Sequence, residues 1–177
     1  MEIMKDTYNL DNLRKKPKRK NSKAKGSAFE RKVAKLLNEH FETTDFQRTP
    51  GSGAFATTHK LPDHLKIHGD LITPLNFIYT IECKKGYNDL DLYSLLNPKS
   101  KIYDFIKQTE KDAVEANKYG LVLMAQDRRD IIVLIKQDSH ICNQLKLNNK
   151  RIIYILNDYA LTAFKDLLSI DRSLFFN

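Results

Sequence analysis

Hydrophobic and polar positions along this chain follow two periods. Over 24–41, AKGSAFERKVAKLLNEHF, the apolar residues Phe29, Val33, Leu36, Leu37 and Phe41 recur at helical spacing and predict a helix with one core-facing stripe. Ser27 and Glu30 have the spacing of a capping box, yet Glu30 also stacks with Val33, Ala34 and Leu37 at the edge of that stripe. Alternating or continuous apolar runs predict strands at 69–73 (GDLIT), 77–84, 119–125 (YGLVLMA), 130–136 (DIIVLIK) and 151–156 (RIIYIL). A charged turn, Gln126-Asp127-Arg128-Arg129, joins the third and fourth of these. A second helix is expected from Asn97-Pro98 to about Asn117, burying Ile102, Phe105, Ile106, Ala113 and Ala116. A third is expected over 157–169, and SLFFN closes the chain. This order predicts an α/β domain over 24–177, built on a central mixed sheet. Residues 1–23 carry no core pattern and read as a mobile arm. Pro50, Gly51 and Gly53 mark a flexible loop at 49–54.

Composition changes the picture mainly through charge. The net charge is +8, and the run RKKPKRKNSKAK over 14–25 holds eight of the thirty Lys and Arg without one acid. The rest of the chain balances, 22 basic against 22 acidic residues. A run of this kind releases counterions when it meets a polyanion, so Lys15, Lys16, Lys18, Arg19, Lys20, Lys23 and Lys25 are expected to bind nucleic acid. The 41% apolar content excludes a disordered chain. No apolar stretch reaches 18 residues and the N-terminus lacks a signal-peptide core, so no membrane contact is expected. Two cysteines make neither a disulfide framework nor a zinc ribbon. The expected home is the cytoplasm, nucleoid-associated or in a phage-infected bacterium. The Lys/Asn/Ile-rich composition suits an AT-rich genome of that kind.

The stretch FIYTIECKKG, 77–86, carries the candidate chemistry. Alternation sends Phe77, Tyr79, Ile81 and Cys83 one way and Thr80, Glu82 and Lys84 the other. Cys83 therefore reads as core packing. A hairpin centred on Asn76 would set Asp70 opposite Glu82, with Cβ atoms roughly 4.5–5.5 Å apart. Two carboxylates so placed repel unless a cation lies between them, and hard oxygen donors suit Mg²⁺ or Mn²⁺. Such an ion lowers the pKa of a water and neutralises charge that develops at a phosphate. Lys84, on the same face, could position or help deprotonate that water, or stabilise negative charge.

These residues resemble the signature of the PD-(D/E)xK nucleases: Asp70, then Glu82-x-Lys84. KGSAFER (25–31) resembles the first helix of archaeal-type Holliday junction resolvases, and RTPGSGA (48–54) their following Arg-plus-Ser loop. Gly69 stands where the motif's name has Pro, and 87–98 is a longer connection than expected. The resemblance covers about residues 24–86. It implies a restriction-endonuclease-like core and Glu30, Asp70, Glu82 and Lys84 as catalytic residues, with the three carboxylates as metal ligands. It further implies Arg31, Arg48 and Ser52 as DNA contacts, and Gln108 with Lys111 as accessory residues on the next helix. The implied protein is a Mg-dependent endodeoxyribonuclease acting on branched DNA in recombination or repair. It would be a homodimer, with 119–136 or SLFFN as its interface.

Two other readings stand beside it: another nuclease of the superfamily (restriction-like, nicking or repair), and a non-catalytic nucleic-acid binding protein. His59, His64 and His68 lack the spacing of a zinc finger, and His59 and His68, in the loop before Asp70, suit DNA contacts better.

Overall fold

The computed structural model describes residues 22–50, 68–155 and 158–177. The first helix, α1 (Ser22–Phe41), buries Phe29, Val33 and Leu37 of the expected stripe together with Glu30 and Ala34, while Leu36 and Phe41 are half-buried. It starts at Ser22, so Ser27 and Glu30 lie inside it and form no capping box. The chain leaves α1 through Glu42 at φ 56, with the Thr43 N–H donating to the Asn38 carbonyl. The Asn38 side chain then accepts from the Phe46 N–H and donates to its carbonyl, both at 2.9 Å. That clamp aims the next residues into β1 (Gln47–Arg48).

β1 pairs antiparallel with β2 (Leu71–Ile72), Arg48 opposite Leu71. The expected hairpin of 69–73 against 77–84 is therefore not what forms. The two-stranded β1–β2 ribbon takes the ladder partners instead. Gly69 explains how the chain still reaches β3 (Tyr79–Lys85). It has φ +78, and a Cβ there would sit 2.7 Å from the Ile81 carbonyl oxygen. Only a residue without a side chain can lie that flat against the strand.

The main sheet has five strands in the order β3, β4 (Tyr119–Ala125), β5 (Ile132–Lys136), β7 (Tyr159–Ala163), β6 (Ile153–Ile155). β3 and β4 are parallel; the remaining pairs are antiparallel. The parallel crossover carries α2 (Leu92–Leu96) and α3 (Lys101–Ala116). Ser100, rather than Asn97, caps α3 by accepting from the Ile102 N–H, and Asn117 ends it in the left-handed conformation at φ 52. α3 covers one face with Ile102, Tyr103, Phe105 and Ile106 against Val122, Met124 and Leu134. The other face packs α1 against Ile81, Cys83, Leu121, Leu123 and Val133. The result is a mixed sheet flanked by helices, as in restriction-endonuclease-like folds.

Two elements differ from expectation. Residues 159–163 are a strand, because Tyr159 and Leu161 alternate with Ala160 and Thr162 across two faces. A helix, α5 (Phe164–Leu167), begins only after them. The unexpected α4 (His140–Leu147) is capped by Ser139 and buries Ile141, Cys142 and Leu145. SLFFN packs onto the core: Phe175 is buried and stacks on Phe77, while Phe176 bridges to Phe77. β4 and β5 are interior strands and offer no free edge. No helix among the described residues is long and apolar enough to cross a membrane.

Gly69→Ala should cost about 1–3 kcal/mol from its left-handed strain and the backbone clash. Urea unfolding checks this, and a variant as stable as wild type would mean that 69–70 is not pressed onto β3.

Candidate active site

β3 is an edge strand, and Asp70 satisfies part of its open side. The Asp70 N–H donates to the Ile81 carbonyl at 2.8 Å, and its Oδ2 accepts the Cys83 N–H at 2.8 Å. One residue thus uses backbone and side chain to stand in for a neighbouring strand. Its carboxylate is fixed at the C-terminal half of β3, beside Glu82, which is only 3% exposed. The expected juxtaposition of Asp70 and Glu82 is present, although loop-to-strand bonds create it rather than a hairpin ladder.

Alternation holds along β3. Cys83 points to the α1 face, where burial and the charges of Asp70, Glu82 and Glu30 push its thiol far above the ordinary range. That thiol is core, not nucleophile, and it marks the point around which the three carboxylates gather. Glu82 and Lys84 point to the α3 face. The Lys84 ammonium donates to Glu82 and, at 3.1 Å, to Gln108 Oε1, and lies 5.1 Å from the centre of the Phe105 ring. Gln108 is thereby part of the site. Lys111 is not: it is exposed and pairs with Glu115 at 3.9 Å.

Glu30 reaches the same rim from α1. It is buried, and its Oε2 accepts from Arg48 Nε at 2.5 Å. Arg48 comes from β1, so the α1–β1 clamp assembles this pair. Arg31 is exposed on α1 and lines an open groove with Lys35, Gln47 and Arg48. Lys23 and Lys25 lie in the first turn of α1. Ser52, Lys15, Lys16, Lys18, Arg19, Lys20, His59 and His64 fall outside the described residues.

One group escaped the sequence reading. His68 Nδ1 lies 3.6 Å from Glu115 Oε2, and with Asp112 their ligand atoms lie within 4.8 Å of one another. Asp112 sits one turn beyond Gln108 on α3, and its charge is felt at both Asp70 and Glu82. The i, i+4 spacing from Gln108 was its available signal.

The electrostatics are those of a crowded acidic pair. Burial, then the Asp70 charge, raises Glu82 from its ordinary 4.5 to about 7, against the opposing pull of Lys84. Burial also raises Asp70, although the Cys83 N–H and Lys84 resist. Burial alone would lower Lys84, but the Glu82 charge and hydrogen bond, with Asp70, push it above the ordinary lysine value. Lys84 is therefore an ammonium at neutral pH. Oxygen donors, burial and mutual repulsion make Asp70 and Glu82 a fitting pair for a hard divalent cation. Glu30 stands at the same rim with its Oε2 taken by Arg48.

A half-buried Asp beside the buried Glu of a Glu-x-Lys at the end of an edge strand, with a Glu arriving from the first helix, is the arrangement of a PD-(D/E)xK nuclease. The chain belongs to the family described as "Phage putative PDDEXK endonuclease", whose model matches residues 21–176. Neither the curated proteins nor the solved structures compared with it include a significant match.

The Glu82 shift has a stability consequence. The unfolded chain ionises Glu82 above pH 4.5, the folded protein only above about 7. Without divalent metal, stability should fall as pH rises through that window, by about 3 kcal/mol, and level off above it. Glu82→Gln should lack this fall. Denaturant unfolding of both proteins at pH 5 and pH 8 checks it; equal pH dependence would rule out the buried repulsion.

Proposed function

We propose that the protein is a divalent-metal-dependent DNA endonuclease. The observation that carries this is the pairing of half-buried Asp70 with buried Glu82, left short of positive charge, with the Lys84 ammonium beside it. Asp70 and Glu82 would hold Mg²⁺ or Mn²⁺, with Glu30 as a third carboxylate. Bound there, the cation supplies Lewis acidity and charge neutralisation at the scissile phosphate. Lys84, already protonated, donates hydrogen bonds to the charge that develops there rather than abstracting a proton. Gln108 fixes the lysine's direction through Oε1. Arg48 holds Glu30 and offers its remaining guanidinium donors to a neighbouring phosphate. Arg31, the basic run at 15–20, and Lys23 and Lys25 in the first turn of α1 add phosphate contacts.

The finer reading is a Holliday junction resolvase working as a homodimer on branched DNA, and it rests on the likeness of 25–31 and 48–54 to those enzymes. Two copies related by a twofold axis would present two sites to opposed strands.

Incubation with Mg²⁺ and either a four-way junction or a linear duplex of the same sequence separates the possibilities. Paired symmetric nicks confined to the junction are expected. Cutting of the linear duplex at a fixed sequence would replace the resolvase with a restriction-like enzyme. Binding without any cutting would leave a nucleic-acid binding module. Asp70→Asn should lower cleavage at least 100-fold while preserving DNA affinity, since the phosphate contacts lie elsewhere. An Asn variant that cuts normally would move the site away from Asp70.

A further inference from the structure

We propose that the β4–β5 turn is a second DNA contact, in which Arg128 and Arg129 grip backbone phosphates on the flank of the site opposite Arg48. The inference rests on the nuclease reading and deepens it.

The placement follows from strand register. β3 and β4 run parallel, with Lys84 beside Met124 and Lys85 beside Ala125. The turn that leaves β4 after Ala125 therefore opens at the same end of the sheet as Glu82 and Lys84. From strand spacing and rise, its tip is on the order of 10 Å from Lys84. That is a few phosphates along a nucleic-acid strand.

The turn is braced. Lys85 Nζ donates to the Gln126 carbonyl at 2.5 Å. Gln126 Nε2 donates to the carbonyls of Tyr87 and Leu90. The Asp127 N–H donates to Asn88 Oδ1 at 2.8 Å, and Asn88 Nδ2 donates to Asp127 Oδ2 at 3.1 Å. This is the structural role of the connection after β3: its first residues lash the turn to the end of the catalytic strand. The arginines are thus presented in a fixed place, which lowers the ordering cost of binding.

The charge is unspent. Asp127 is taken by Lys25 at 3.2 Å and Lys85 at 3.5 Å. Arg128 and Arg129 are exposed and make no ion pair among the described residues, while Asp130 is the one other acid in the turn. Arg128 has φ 60, a left-handed position that a bulky side chain seldom takes. Lys25 also ties the turn to the start of α1. The basic run at 14–25 consequently enters the described fold at this corner. A phosphodiester backbone suits such a rim, since planar guanidinium groups pair with phosphate oxygens bidentately.

The test uses the full chain, with Asn at position 128 to keep the turn: Arg128→Asn combined with Arg129→Ala. Fluorescence anisotropy with a labelled duplex in EDTA, over a KCl series, gives the salt slope. The slope should shallow by about 2, one lost phosphate contact per arginine. Affinity should fall by about tenfold or more for every sequence tried. With Mg²⁺, KM should rise while kcat at saturating DNA and the unfolding temperature stay at wild-type values. A slope and KM equal to wild type, in a wild-type protein that cuts DNA, would overturn this inference and leave the nuclease reading intact. A fall in kcat at unchanged KM would also overturn it. A wild-type protein that neither binds nor cuts DNA would overturn both.

Discussion

The repulsion between Asp70 and Glu82 is the constraint around which the molecule is arranged. Two carboxyls held beside each other under α3, with Glu82 3% exposed, cost free energy that a protein without need of them would avoid. The fold does not let them separate. Asp70 is bonded to Ile81 and Cys83 through both its backbone and its side chain, and Glu82 is locked in a strand whose neighbour is β4. Lys84 offsets part of the charge. The remaining repulsion is what a divalent cation bound between them would relieve.

Each supporting element serves this arrangement. Gly69 lets the chain lie on β3, and the β1–β2 ribbon holds it there. α1 closes one face of the sheet and sends Glu30 to the rim, where Arg48 keeps it from adding a third bare charge. α3 closes the other face and carries Gln108, which directs Lys84. The β4–β5 turn and the first turn of α1 stay positive around this acidic centre. A polyanion would be drawn to the rim and its phosphate delivered to the carboxylates by way of a cation.

The parts legible in sequence were those set by local period. The α1 stripe and the alternation of 79–85 follow from side-chain direction alone, so Glu82, Lys84 and the buried Cys83 could be placed. Asp70 was found at the right neighbour for a partly wrong reason. A hairpin register is a long-range choice, and the positive φ of Gly69 with the pull of β1 decided it instead. Residues 159–163 read as helix because Tyr-Ala-Leu-Thr-Ala suits either period; a ladder place between β5 and β6 made them a strand. Glu30's partner could not be read, since Arg48 arrives through the Asn38 clamp, a tertiary contact. Gln108 reached the site because helical phase on α3 carries it over Lys84, while Lys111 turned toward Glu115.

The central claim is that a cation relieves a built-in repulsion. Its most direct measurement is the unfolding free energy of wild type and Asp70→Asn at pH 8, without metal and at saturating Mg²⁺. The account predicts that Asn, which removes one of the two charges, makes the metal-free protein more stable by on the order of 2 kcal/mol. It also predicts that Mg²⁺ stabilises wild type and not the variant. A metal-free variant less stable than wild type, or an equal gain from Mg²⁺ in both, would contradict it.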